Sequence, residues 1–191
     1  MQLLRPLNSP IRQQGFSFFE VVATLGVVGV SLSLVVPSLS SVTASNLRAN
    51  GINELVATLH VARNEAITRN EPIVVCPSLD GETCAPVAWE AGWIRFVDSN
   101  GDFGVGDGEH LLGATAPLGG LRIRTDAFGT AFGYAPSGRV SSPDQGLSGG
   151  DFTFCPASNP VDARVLAVSA LGHTVLAERH ADGQEPDCSV G

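Results

Sequence analysis

The side chains of this 191-residue chain that could do chemistry fall into a few groups: four cysteines, an acidic run, a serine between glycines, and four histidines. Cys76, Cys84, Cys155 and Cys188 lack the Cys-x-x-Cys or His-x3-His spacing that a zinc site would show. Asp98-Ser99-Asn100-Gly101-Asp102, with Glu109 at the twelfth position, imitates a calcium loop, because alternating oxygen ligands and a final bidentate acid can wrap a hard cation. The sixth position, where such a loop turns on glycine, is Phe103, and no helical pattern flanks the run. We read it as an acidic hairpin tip, with Asp98, Asn100, Asp102 and Glu109 as the calcium candidates. Gly146-Leu147-Ser148-Gly149-Gly150 fits G-x-S-x-G, but a nucleophile elbow needs a strand before the serine and a helix after it. Ser141-Ser142-Pro143-Asp144 precedes and a strand-like Phe152–Phe154 follows, so the motif reads as a turn. His60, His110, His173 and His180 share no metal or triad spacing and read as surface or packing residues. All 11 basic residues are arginine, which excludes a P-loop, a Schiff-base lysine and a lysine general base. No catalytic residue, resident metal or cofactor is assigned, and the chain is read as a non-enzyme.

The elements that must position these groups begin with an N-terminal stretch carrying Arg5, Pro6, Pro10 and Arg12 and no acid. From Phe16 to Leu39 the chain is apolar apart from Glu20; these 24 residues would make about 36 Å of helix, enough to span a bilayer. The flanking arginines leave the N-terminus cytoplasmic and send the remainder outward. A secretory signal peptide is the competing reading, with Val42-Thr43-Ala44 as its cleavage site. Against it stands Glu20, since a carboxylate deep in an apolar segment costs about 2.5–3.5 kcal/mol. After Pro37 the pattern turns amphipathic: Ile52, Leu55, Val56, Leu59, Ala62 and Ala66 line one helix face. Glu65 and Arg69 stand in the favourable i,i+4 order, and Asn70 with Pro72 supplies a stop. The spacing therefore predicts one kinked helix from about Phe16 to about Arg69. Beyond it lie short β-favouring runs separated by turn residues: 73–75, 93–97, 121–125, 127–132, 152–155, 165–168 and 174–177. They predict an antiparallel sheet, with Leu121 and Ile123 inward and Arg122 and Arg124 outward.

Gly15-Phe16-Ser17-Phe18-Phe19-Glu20, with the apolar run and Pro37 behind it, resembles the class III leader of type IV pilins and type II secretion pseudopilins. The resemblance implies that a prepilin peptidase cuts after Gly15 and methylates Phe16. It also implies that Glu20 pairs with the free amine of Phe16 or of a neighbouring subunit, and that Pro37 is the helix-kinking proline. Asn53-Glu54-Leu55, Ala62-Arg63-Asn64-Glu65-Ala66, the segment from Cys76 to Cys84 and the segment from Trp89 to Asp98 are similar to the GspH/FimT family of minor pilins and pseudopilins. The fold implied is α+β and pilin-like, a long N-terminal helix packed on an antiparallel head. Residues 1–15 would be the leader, 16–39 the inner-membrane helix and 40–191 the periplasmic head with the second half of the helix. The partners implied are other pilins or pseudopilins, the peptidase and the inner membrane. The function implied is to initiate and cap a type IV pilus or a type II secretion pseudopilus, supporting pilus biogenesis or protein secretion.

In an oxidising compartment the four cysteines read as two disulfides, with three pairings open. We expect Cys76–Cys84, closing a short loop, and Cys155–Cys188, clipping the polar tail 181–190 onto the sheet. DNA binding, known for some FimT-type pilins, is the alternative function. The family's Gly-Arg-x-Arg motif falls on Gly172-His173-Thr174-Val175, without its arginines, and Gly138-Arg139-Val140-Ser141 keeps half of the pattern. Arg122, Arg124, Arg139, Arg164 and Arg179 are too few for a patch on a mature chain with nine arginines against nineteen acids. Nucleic acid is therefore not an expected partner.

Overall fold

A computed structural model describes residues 15–125, 127–143, 149–157 and 163–188, with the side chains of 33–41 outside that description. Residues 1–14 of the expected leader, the Pro37 side chain and Ser148 therefore lie outside the described residues. The chain divides into two units, Met1–Leu39 and Ser40–Gly191.

Helix α1 runs from Phe18 to Arg69. Ser17 caps it, its carbonyl accepting from the N–H groups of Glu20 and Val21. Its first turn carries Glu20 and its last Arg69, each at the end where the helix dipole favours its charge. Asn70 ends it in the left-handed conformation, φ 58°. In the first unit the described apolar side chains, including Phe16, Phe18, Phe19, Leu25, Val27 and Val30, are all exposed. Thr24 and Ser31 turn their hydroxyls back onto the carbonyls of Val21 and Val27. Among the described residues no helix is long and apolar enough to cross a membrane; the apolar run continues beyond Leu32 into the residues whose side chains are not described.

Among the described residues the second unit holds nine strands: β1 (Ile73–Pro77), β2 (Trp93–Val97), β3 (Leu111–Thr115), β4 (Leu121–Arg124), β5 (Phe132–Tyr134), β6 (Val140–Ser141), β7 (Gly149–Pro156), β8 (Arg164–Ser169) and β9 (Thr174–Ala177). They form two antiparallel sheets, ordered β3-β2-β1-β5-β6 and β4-β7-β8-β9, where a single sheet was expected. The reason is that both sheets bury a face in the same core. Ile73, Val75, Trp93, Val97 and Phe132 come from the first, and Leu121, Ile123, Phe152, Phe154, Leu166 and Val168 from the second. The α1 stripe Ile52, Leu55, Leu59, Ala62 and Ala66 joins them. Gly51 opens the close approach, since a Cβ there would collide with the Leu121 side chain.

Two further expectations change. Residues 127–131 form turns, and their buried Phe128 packs on Phe132 and Phe152, with ring centroids 4.5 and 4.9 Å away. The aromatic run is core without being a strand. Glu65, expected to pair with Arg69, instead accepts from Arg95 Nε at 3.2 Å, because β2 brings that guanidinium under the helix. Trp89 and Trp93 complete the aromatic cluster, their indole N–H groups donating to the Gly129 carbonyl and the Thr58 hydroxyl. Phe152 touches Trp89, Phe128 and Phe132. Phe152→Ala is therefore expected to destabilise the head by about 3–5 kcal/mol, measured by urea unfolding of the full chain, whereas a loss below 1 kcal/mol would mean that the cluster is not the centre of the core.

Candidate functional site

The described head places the cysteines and the acidic run in separate loops, each organised for its own reason, and brings Arg124, His173 and His180 to one groove. Cys76 and Cys84 form one disulfide, Cα atoms 5.5 Å apart, and Cys155 and Cys188 form the other, at 5.7 Å. Inside the first, Asp80 acts as a hub. One carboxylate oxygen accepts from the N–H groups of Glu82 and Thr83 at 2.8 Å and from the Ser78 hydroxyl at 3.0 Å, and the other from the Thr83 hydroxyl at 2.7 Å. These bonds, the Thr83 N–H foremost, hold its carboxyl far below the ordinary aspartate range. The loop presents Leu79 to solvent.

The acidic run does converge. One ligand oxygen each of Asp98, Asp102 and Glu109 lie within 4.8 Å of one another, and these residues could face a hard cation. In this conformation all three carboxylates are turned to the loop's own donors. Asp98 accepts from the N–H groups of Gly101 and Phe103, Glu109 from those of Ser99 and Gly106, and Asp102 from that of Gly104 and the Asn100 amide. Phe103 takes the left-handed conformation, φ 61°, at the position where a calcium loop has glycine. Asp98 is almost fully buried, and burial pushes its carboxyl up, with the N–H groups of Gly101 and Phe103 opposing and the charges of Glu109 and Asp102 adding.

The second disulfide clips the tail across the outer face of the sheet β4-β7-β8-β9. There the structure places a constellation that sequence reading missed. His180 meets Asp151 through Nδ1 at 3.1 Å and Thr153 Oγ1 through Nε2 at 3.4 Å. A carboxylate can only accept, so Nδ1 donates and, in the neutral ring, Nε2 accepts from the threonine hydroxyl. The order acid, imidazole, hydroxyl is that of a nucleophilic triad, but the hydroxyl is buried in β7 beneath the tail, and the bonds fasten tail to sheet. No sequence signal could have found it, because Asp151 and His180 stand 29 residues apart. Beside it lies a groove of about 630 Å³ floored by Asp151, Thr153, Ala167 and Val175, with Arg124 and His173 in its lining. Of the other candidates, Gly149 and Gly150 open strand β7 where an elbow would need a helix. Ala44, the end of the alternative cleavage site, is buried inside α1.

A family model described as type II transport protein GspH matches residues 51–172. The chain belongs to the GspH family. Among solved structures, the type IV minor pilin FimU of Pseudomonas aeruginosa is 20% identical over 69% of this chain and 88% of its own, with a TM-score of 0.53. A second crystal form of FimU is 21% identical over 65% and 87%, with a TM-score of 0.45. The minor pseudopilin EpsH from the type 2 secretion system of Vibrio cholerae is 13% identical over 67% and 94%, with a TM-score of 0.45. No curated protein matches the sequence. The FimU likeness carries the fold: a long N-terminal helix on antiparallel sheets.

The GspH match ends on Gly172, in the turn between β8 and β9. Gly172 has φ 78°, and a Cβ there would meet the Gly138 carbonyl at 2.5 Å. Arg63 of α1 ties this turn down, Nε donating to the Gly138 carbonyl at 3.0 Å and Nη2 to that of Leu171 at 2.9 Å. His173 and Val175, where the FimT-type motif would place arginines, are both exposed. The other arginines do not gather. Arg124 donates to the Asp187 carbonyl, Arg164 pairs with Glu178 and Arg179 with Glu185, while Arg122 is half-buried on β4 beside Arg124 and Arg139 is exposed in the turn before β6.

The two perturbed aspartates have opposite pH signatures. A lowered carboxyl adds stability that is present above its unfolded pKa and lost as pH falls toward the folded value; a raised one adds stability below the unfolded pKa that is lost as pH rises through the folded value. Asp80→Asn is therefore expected to lower the unfolding midpoint at pH 6 and to lower it less at pH 3, where the wild type has begun to lose that contribution. An equal loss at both pH values, in thermal scans of the full chain, would show that charge at Asp80 is not what holds the loop.

Proposed function

We propose that this chain is a minor pilin or pseudopilin subunit, made as a precursor, cut after Gly15 and methylated on Phe16. In this reading it is held in the inner membrane by residues 16–39, with its head in the periplasm. It helps to initiate and cap a type IV pilus or type II secretion pseudopilus. The observation that carries the reading is helix α1 itself: one element of 52 residues that begins among exposed apolar side chains and ends as the central stripe of a packed head. Membership of the GspH family supports it. So do the Thr24 and Ser31 hydroxyls, which bond to their own helix as side chains must where water is absent. The burial of Ala44 within α1 speaks against processing there as a signal peptide.

Glu20 is exposed among apolar neighbours in the described helix. In a bilayer its charge asks for a partner, and the amine of Phe16, on this subunit or the next, supplies one. Glu20→Ala is expected to leave the head folded with both disulfides formed, and to cut incorporation into sheared filaments roughly tenfold or more. Normal incorporation would sink the pairing. Gly15→Glu is expected to leave an uncut precursor on a gel, and ordinary processing of that variant would favour the signal-peptide reading.

A further inference from the structure

The two sheets have four edges, and among the described residues three are blunted. At β4 the outward N–H of Ile123 donates to the Glu90 carboxylate at 2.9 Å. At β6 the outward N–H of Val140 donates to the Ala170 carbonyl at 3.1 Å. At β3 the register slips between Arg95 and Phe96, and the Leu112 carbonyl takes Arg95 Nη2 at 3.2 Å. Bulges and side-chain caps of this kind are how proteins keep sheet edges from pairing with other chains.

Among the described residues the fourth edge, β9, has no bulge and no backbone or carboxylate cap; its one side-chain contact with α1 is the Thr174 hydroxyl, 3.4 Å from His60 Nε2. Residues 174–177, Thr-Val-Leu-Ala, contain no charge and no proline, and their register with β8 is regular. Ser169 N–H bonds the His173 carbonyl, so by antiparallel alternation Val175 and Ala177 are the residues bonded to β8. The N–H and C=O groups of Thr174 and Leu176 then point outward, and no described backbone group meets them. Val175 and Leu176 are 61% and 54% exposed, one on each face of the sheet.

We propose that β9 accepts an extended strand from a different subunit, which would extend the sheet β4-β7-β8-β9 by main-chain hydrogen bonds to Thr174 and Leu176. An edge that offers alternating donors and acceptors is complementary to another strand and to little else. The acid excess of the mature chain, and Glu178 at the end of β9, 83% exposed although it meets Arg164 Nη2 at 3.6 Å, fit a strand with apolar alternation and an arginine or lysine at that end. The proposal rests on the filament reading for the source of the strand.

Full-length protein carrying a photocrosslinking residue in place of Leu176, expressed in cells at native level, is expected to form an adduct with one other subunit, mapping to a strand of that partner. Leu176→Pro removes an outward N–H without touching the β8 ladder, and Leu176→Lys blunts the edge without altering the backbone. Each is expected to keep both disulfides and the unfolding midpoint, and to lower recovery in sheared filaments about tenfold, the proline by losing one hydrogen bond and the lysine by burying its charge against the incoming strand. Absence of an adduct, or an adduct only between copies of this chain, overturns the proposal. Unchanged recovery of both variants, with the wild type present in filaments, overturns it and leaves the filament reading intact. An adduct to a strand of a protein that is no pilin keeps strand addition and overturns the filament source instead.

Discussion

Everything in the head is arranged around the requirement that one helix stripe, Ile52 to Ala66, be buried from two sides. A helix of this length with a single apolar stripe would normally meet one layer. Here the small residues Gly51, Ala62 and Ala66 let the backbone come close, and two short sheets bury one face each against the same stripe. Neither sheet could stand alone, since strands of two to eight residues enclose too little apolar surface without the helix. The aromatic cluster of Trp89, Trp93, Phe128, Phe132 and Phe152 fills the space between them, and it draws its members from loops as well as strands.

This explains what the sequence made legible. The 3.6-residue period showed the helix and its buried face. The runs 93–97 and 174–177 matched β2 and β9, because β-branched and aromatic residues bounded by turn formers have few other uses. Leu111–Thr115 was not legible as a strand: Gly113 sits in its middle and a bulge breaks its alternation. Phe128 looked like part of a strand that begins only at Phe132, because hydrophobicity reports burial and not conformation. The division into two sheets was invisible, since alternation says which face is wet but not which neighbour a strand takes. Glu65 likewise had a local partner in sequence and a distant one in space.

The loops show the same division between local and long-range information. Cys76 and Cys84 close a loop whose order is written in its own residues, with Asp80 placed to collect the donors that follow it. Cys155 and Cys188 act at a distance. Their disulfide brings the tail over the outer face of its sheet, and only then can His180 reach Asp151 and Thr153. A triad-like order thus arises from fastening, without an exposed hydroxyl to attack anything. The acidic loop is intermediate: spacing suggested the convergence of Asp98, Asp102 and Glu109, while the left-handed Phe103 and the inward-turned carboxylates could be seen only in the fold.

A physical asymmetry links the two halves of the chain. The first unit exposes apolar side chains and satisfies its hydroxyls within the helix, which suits a surrounding without water. The second buries its stripe and carries most of the acids on its surface, which suits water. A subunit whose helices associate through apolar contacts gains little orientation from them, because such contacts are not directional. On the reading proposed above, direction comes from polar groups with few alternatives: the Glu20 carboxylate, paired with a cation, and the β9 edge, paired with a strand. On the proposed reading, one constraint acts at the apolar end of the chain and the other at the wet end, and two such constraints would define a subunit's place more narrowly than either alone.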